Sequence, residues 1–157
     1  MSKGTTFLVA IGVAVGFAVT DRAPSDPQVQ VVTSPDGTRQ MRIPRSPDGH
    51  FYVHAMVNGQ LVRFLVDTGA TEIALTMEDA ERIGEQISPK SFEVVGSGAS
   101  GPVRGQTIEI ESIELGGREV LNLRGAVLEG LDISLLGQSF LSRTGGVQMD
   151  ADQMIIH

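Results

Sequence analysis

No cysteine occurs in the chain. Disulfides, thiol nucleophiles and thiolate zinc sites are therefore excluded, while the redox compartment stays open. Aromatic residues are scarce, with no tryptophan, one tyrosine and six phenylalanines, so a core must be built from aliphatic side chains. Positive charge is also in short supply. Twelve Lys and Arg stand against 19 Asp and Glu, a formal net charge of −7. That balance disfavours nucleic acid, and no Lys/Arg cluster reverses it. Only three histidines are present. His50 and His54 fall in the strand-like run HFYVHAMV. Four residues apart on a strand, they share a face but lie roughly 13 Å apart, too far for one metal ion. They read as surface residues, and His157, the last residue, is expected to fray. No metal and no cofactor is expected.

The longest uncharged run is TTFLVAIGVAVGFAVT, Thr5 to Thr20, with Lys3 ahead of it and Asp21 and Arg22 behind. It is short of the about 20 residues a spanning helix needs, but suits the core of a signal segment. Ala18-Val19-Thr20 matches a small-x-small cleavage site poorly, which favours an uncleaved signal anchor over a cleaved signal peptide. Lys3 on the inner side would send the rest of the chain out of the cytoplasm. The polar, proline-containing DRAPSDPQ reads as a linker. The expected organisation is a signal anchor or signal peptide over 1–20, a linker over 21–28 and one domain over 29–157.

With 41% hydrophobic residues, that domain can enclose a core. Its pattern is mostly β. QVQVVT alternates, and SPDG recurs at Ser34–Gly37 and Ser46–Gly49 as repeated turn chemistry. HFYVHAMV, Asn58-Gly59 and QLVRFLV form the clearest hairpin. TMEDAERIG predicts a short helix, with Thr76 as cap, Asp79 at the capping-box position, Ala80 and Ile83 inward and Gly84 ending it. SFEVV and VRGQTIEIESIEL flank the glycine-rich GSGASG. LGG at Leu115–Gly117 turns the chain, LLGQSFLSR combines an apolar run with a second short helix, and GGVQMDADQMIIH predicts a final hairpin turning near Asp150–Asp152. About ten short strands and one or two short helices indicate a small closed β domain.

One stretch carries chemistry. In RFLVDTGATEIALT the apolar run Phe64-Leu65-Val66 ends by delivering Asp67 into the turn Thr68-Gly69-Ala70-Thr71. A carboxylate that activates water must be held rigidly. A strand end supplies the rigidity, Gly69 permits close backbone approach, and Thr68 and Thr71 offer hydroxyls. Some 60 residues later Leu135-Leu136-Gly137 repeats the apolar-apolar-Gly pattern without an acid.

These segments resemble the retropepsin-type aspartic proteases. FLVDTGAT with SLLGQSFL carries the likeness, and GHFYVHAMVNGQLVRFLVDTGAT, ALTMEDAERIG and LLGQSFLSR are similar to the bacterial, membrane-anchored, single-domain members. The resemblance covers about Arg42 to His157. It implies a small β-barrel of the acid protease fold, a homodimer acting on peptides, and a flap over the cleft. Asp67 would be the catalytic acid, and Thr68 would brace the two active-site loops against each other. Gly69 would donate its N–H to the carboxylate, with Thr71 in support, and Leu136-Gly137 would pack behind the loop. VGSGASGPV, with Gly96, Ser97, Gly98, Ala99, Ser100 and Gly101 at its centre, falls where the flap belongs. The implied location is the bacterial inner membrane, single-pass, with the domain in the periplasm.

Two departures stand out. Position 72 is Glu where a small or hydroxyl residue is expected, adding a negative charge near the site, and the flap has no aromatic ring. Both feed the alternative of a catalytically silent peptide-binding or scaffold domain of the same fold. Asp132, in LDISLLG, lacks the Asp-Thr/Ser-Gly pattern and is not a second motif. Two acids would therefore require two chains. The terminal segments QVQVV and QMIIH are expected to pair between them.

Overall fold

The computed structural model describes residues 7–9, 28–98 and 101–157. Most of the signal-like run, the linker before Gln28, and Ala99 and Ser100 of the flap lie outside them. Among the described residues, twelve strands and two short helices account for the regular structure, with a 3-10 turn at Pro89–Ser91. Among the described residues no helix is long and apolar enough to cross a membrane.

The strands are β1 (Phe7–Val9), β2 (Gln30–Thr33), β3 (Arg39–Pro44), β4 (Tyr52–Val57), β5 (Gln60–Val66), β6 (Ile73–Leu75), β7 (Glu93–Gly98), β8 (Gly101–Leu115), β9 (Arg118–Leu128), β10 (Ser134–Leu136), β11 (Val147–Met149) and β12 (Gln153–Ile156). The helices are α1 (Met77–Arg82) and α2 (Gln138–Leu141). The larger sheet runs β1-β7-β8-β4-β5-β10-β6-β9, and β8 also pairs with β9. That extra pairing closes β8-β4-β5-β10-β6-β9 into a ring, the expected small barrel. Closure removes the exposed sheet edges that an open sheet would present. β7 and the start of β8 project from the ring as a hairpin, with β1 parallel to β7 on its far side.

Local chemistry shapes the turns as the sequence predicts. Asn58 and Gly59 take φ of 47° and 80°, the left-handed pair that a two-residue hairpin requires. Both SPDG segments are hydrogen-bonded turns, Gly37 N–H to Ser34 O at 2.9 Å and Gly49 N–H to Ser46 O at 2.8 Å. Helix α1 is capped by Thr76, whose Oγ1 accepts from the Asp79 N–H at 3.1 Å. Asp79 does not close a capping box. Its carboxylate instead accepts the Ser134 hydroxyl at 2.6 Å and an Arg82 N–H at 2.7 Å, and Ser134 Oγ accepts the Thr76 N–H at 3.1 Å. A serine of β10 thus takes the place expected of Asp79, and ties α1 to the barrel.

The second sheet runs β11-β12-β3-β2. Here the expected pairing of QMIIH with a second chain is corrected, while the QVQVV segment is left with one open edge. β12 is flanked on both sides by its own chain, β11 on one and β3 on the other, so the QMIIH segment has no edge to offer. β2 and β11 are the edge strands. His157 does not fray. Its N–H donates to Gly146 O at 3.1 Å, and its Nδ1 lies 3.3 Å from Gln40 Nε2.

Burial splits the strands by parity. Val62, Phe64, Val66, Ile73, Leu75, Val127 and Leu136 enter the main core inside the barrel. Their neighbours Ala74, Ala126, Leu128 and Leu135 form a second apolar cluster, with Leu65, Leu131, Ile133 and the hairpin residues Val95 and Val103 packed against it. Residues on opposite faces of a strand alternate, so the second cluster lies between the outer face of the barrel and the β7–β8 hairpin.

Candidate active site

Three short segments meet at the end of β5. β10 threads between β5 and β6, parallel to β5 with Leu136 opposite Val66, and antiparallel to β6 with Leu135 opposite Ala74. The turn from Asp67 to Glu72 bridges β5 and β6 over the end of β10. Asp67 N–H donates to Leu136 O at 3.1 Å, Gln138 N–H to Ala70 O at 2.8 Å, and Ser139 N–H to Thr71 O at 2.9 Å. The loop is therefore fastened by backbone bonds to a segment far away in sequence.

Gly137 makes this approach possible. A Cβ there would fall 2.7 Å from Ala70 O and closer still to Glu72 O. Leu136, fully buried, packs in the core behind the loop. Sequence reasoning missed Gln138. Its Nε2 donates to Thr68 O at 2.9 Å, a second tether across the same gap.

Asp67 is half-buried, and Gly69 N–H donates to its Oδ1 at 2.8 Å. Ala70 is fully buried and pins the loop, whereas Thr68, Gly69 and Thr71 are exposed. The fold thus holds one carboxylate rigidly and turns the tip beside it outward. Asp132 sits elsewhere, lining a hollow of about 360 Å³ with Thr76, Met77, Glu78, Leu128, Gly130 and Leu131. Among the described residues no group of His, Asp or Glu is arranged to hold a metal ion.

The second apolar cluster adjoins the aspartate, since Leu65 lies two residues before it. Gly96, Ser97 and Gly98, expected to lie in a flap, pair with Val103, Pro102 and Gly101, and a bulge interrupts β7 between Val94 and Gly96. The hairpin carries Val95 and Val103 over the outer face of β10, so aliphatic side chains stand where an aromatic ring is lacking. Tyr52 lies opposite Leu65 on β4, with Arg63 stacked 4.1 Å from its ring centre. Partial burial pushes the Asp48 carboxyl up, but the Tyr52 hydroxyl at 2.6 Å and the His50 N–H at 3.0 Å outweigh it and hold Asp48 below the usual carboxylate range.

Glu72 is the other missed feature. The sequence marks it as a nearby charge, but not as a buried one, and it is only 8% exposed.

Residues 53–143 match the family described as "gag-polyprotein putative aspartyl protease". An uncharacterized protein of Rickettsia prowazekii (strain Madrid E) is 42% identical over 116 residues, covering 73% of this chain and 50% of the relative. A second uncharacterized protein, from a Sinorhizobium species, is 36% identical over 126 residues, covering 79% of this chain and 54% of the relative. The chain spans about half the length of the curated relatives it matches. A solved retropepsin-like aspartic protease from Rickettsia conorii aligns with a TM-score of 0.62 and 35% identity over 82% of this chain and 91% of that one. EIAV protease, solved with an inhibitor, shares the fold with a TM-score of 0.54 and 20% identity over 67% of this chain and 97% of its own.

Proposed function

The chain belongs to the retropepsin-like aspartic protease family, and from that premise we propose that it is an aspartic endopeptidase whose active site is completed by a second copy of itself. The observation that carries this reading is a single rigid carboxylate beside an exposed Thr68-Gly69 tip. Two such loops meeting on a two-fold axis would bring Asp67 and the partner's Asp67 together, an isologous contact. Two close carboxylates cannot both ionise, so the pair shares one proton, as in aspartic proteases generally.

The chemistry then follows. The ionised carboxylate takes a proton from a water molecule as its oxygen adds to the peptide carbonyl. The protonated carboxyl gives its proton to the carbonyl oxygen. The tetrahedral intermediate collapses by breaking the C–N bond, and the leaving nitrogen takes a proton from the dyad. The pair titrates as a unit, so neither Asp67 has a fixed role. Thr68 of each chain braces the other loop, and the β7–β8 hairpin covers an extended peptide lying on the second apolar cluster.

Two measurements test this reading. Asp67→Asn keeps the shape but removes the base, so peptidase activity is expected to vanish while the fold survives. Specific activity of residues 29–157 should rise with protein concentration, because the dimer fraction follows mass action. Equal activity of wild type and Asp67→Asn, or a monomer cleaving with constant specific activity, would overturn it. A folded dimer that binds peptides without cleaving them would identify a silent domain instead.

The run from Thr5 to Thr20 supports a further part of the proposal, an anchor in the bacterial inner membrane with the domain in the periplasm. Full-length protein should then fractionate with membranes, and protease added to spheroplasts should digest the domain. A purely soluble cytoplasmic protein would refute it.

A further inference from the structure

The barrel closes on itself, but the β7–β8 hairpin stands outside the ring, where closure does not protect its edges. β7 carries little that would blunt its outer edge. Glu93 at its start is its one charge, it has no lysine or proline, and Val94 is 65% exposed. Gly96 and Gly98 present bare backbone on either side of Ser97. Ser97 lies opposite Pro102 of β8, which has no N–H to give, so these two form a pair without mutual hydrogen bonds. The N–H and C=O of Ser97 therefore face away from β8, toward the outer edge.

β1 lies on that edge. Phe7, Leu8 and Val9 run parallel to Gly96, Ser97 and Gly98 in register. In a parallel pair a residue bonds to the two that flank its partner, so Ser97 meets Phe7 and Val9. These residues come from the uncharged run Thr5 to Thr20, in which Val9, Ile11, Val13, Val15 and Val19 are β-branched. The same run is shorter than the about 20 residues of a spanning helix. Its composition suits a strand as well as an anchor.

We propose that the outer edge of β7 is a strand-accepting surface, that its partner is the apolar segment at Phe7–Val9 of the same chain, and that this segment has two exclusive places, beside the hairpin or in a membrane. A residue cannot pair with β7 and lie in a bilayer at once, so lipid competes with the hairpin for it. A two-stranded hairpin is marginal alone, and a third strand steadies it. Val95 and Val103 of the hairpin pack on the second apolar cluster, so β1 holds them there. That is the face on which the peptidase reading lays the substrate, and the effect on activity rests on that reading. Docking of β1 pins the hairpin, and membrane insertion of the segment frees it.

The chain has no cysteine, so an engineered pair reports contact without background. Leu8→Cys/Ser97→Cys puts thiols on register partners, within the Cα separation that a disulfide spans. Leu8→Cys/Gln148→Cys is the control, on an edge strand of the other sheet. The full chain is made by cell-free synthesis, without lipid or with phosphatidylcholine vesicles, and then oxidised. Without lipid the first pair should close within one chain and the control should not, and vesicles should lower the yield. Hydrogen exchange gives a readout that needs no thiol. Val9→Pro removes an N–H that faces Ser97, so the Ser97 amide of the lipid-free chain should exchange about tenfold faster in this variant than in wild type. Equal closure of both pairs, closure only between copies, a yield unchanged by vesicles, or a Ser97 amide indifferent to Val9→Pro overturns the proposal. On peptides, the closed protein should show a lower kcat/KM than the same protein after reduction, and equal rates would overturn the regulatory part. Selective closure in a protein that cleaves no peptide even after reduction would sink the peptidase reading and leave the β7 surface standing.

Discussion

The side-chain amide of Gln138 donates to the carbonyl oxygen of Thr68 at 2.9 Å, joining the first residue of α2 to the tip that follows Asp67. Gln138 also holds Ala70 O through its backbone N–H, so one residue fixes the loop at two points.

Gln138→Ala removes only the side-chain tether. Because Gln138 is exposed, the expected loss of stability is small, about 1 kcal/mol. The expected loss of kcat/KM is larger, since a small displacement of a reacting group costs far more in rate than in folding. Urea unfolding and peptide kinetics on the same preparations separate the two. A loss of activity no greater than the loss of stability would deny Gln138 a positioning role.

Gly137→Ala is the most disruptive single methyl in the site. The new Cβ meets two backbone carbonyls, of Glu72 and Ala70, rather than a flexible side chain that could move away. The expected destabilisation is about 3 kcal/mol, with the Asp67–Glu72 turn displaced. Denaturant midpoints and a crystal structure of the variant check both parts. A variant as stable as wild type would show that the turn can relax.

Ser134→Ala should separate α1 from the barrel. It leaves an oxygen of Asp79 and the N–H of Thr76 without their partner in a part-buried setting. The expected cost is about 1–3 kcal/mol. Hydrogen exchange should show faster opening of Met77–Arg82 than of β10 itself. Unchanged protection of α1 would mean that Arg82 alone holds Asp79 in place.

What the sequence reveals here is local. Asn58-Gly59, the two SPDG turns, the Thr76 cap and the Asp67-Thr68-Gly69 turn each depend on residues within four positions of one another, and each adopts the expected geometry. What it conceals is long-range. Ser134 reaches Asp79 across 55 positions and Gln138 reaches Thr68 across 70. No propensity or period marks such partners. Asp79 shows the competition directly, since a capping box and a bond to Ser134 use the same carboxylate, and the barrel wins. The burial of Glu72 is hidden for the same reason, because its backbone lies against Gly137, far away in sequence.

The internal pairing of β12 has a consequence for how activity is switched on. Its edges are satisfied within one chain, so the protomer can finish folding before it meets another. If the proposed dyad forms between two copies, completion of the fold and completion of the dyad would be separate events. Under the proposed dimer mechanism, a folded single copy would stay inactive until it pairs. On a membrane, where copies are confined to a plane, onset would scale with the square of their surface density at low coverage. Synthesis rate and clustering would set the threshold, and dispersal would silence the site without degrading the protein.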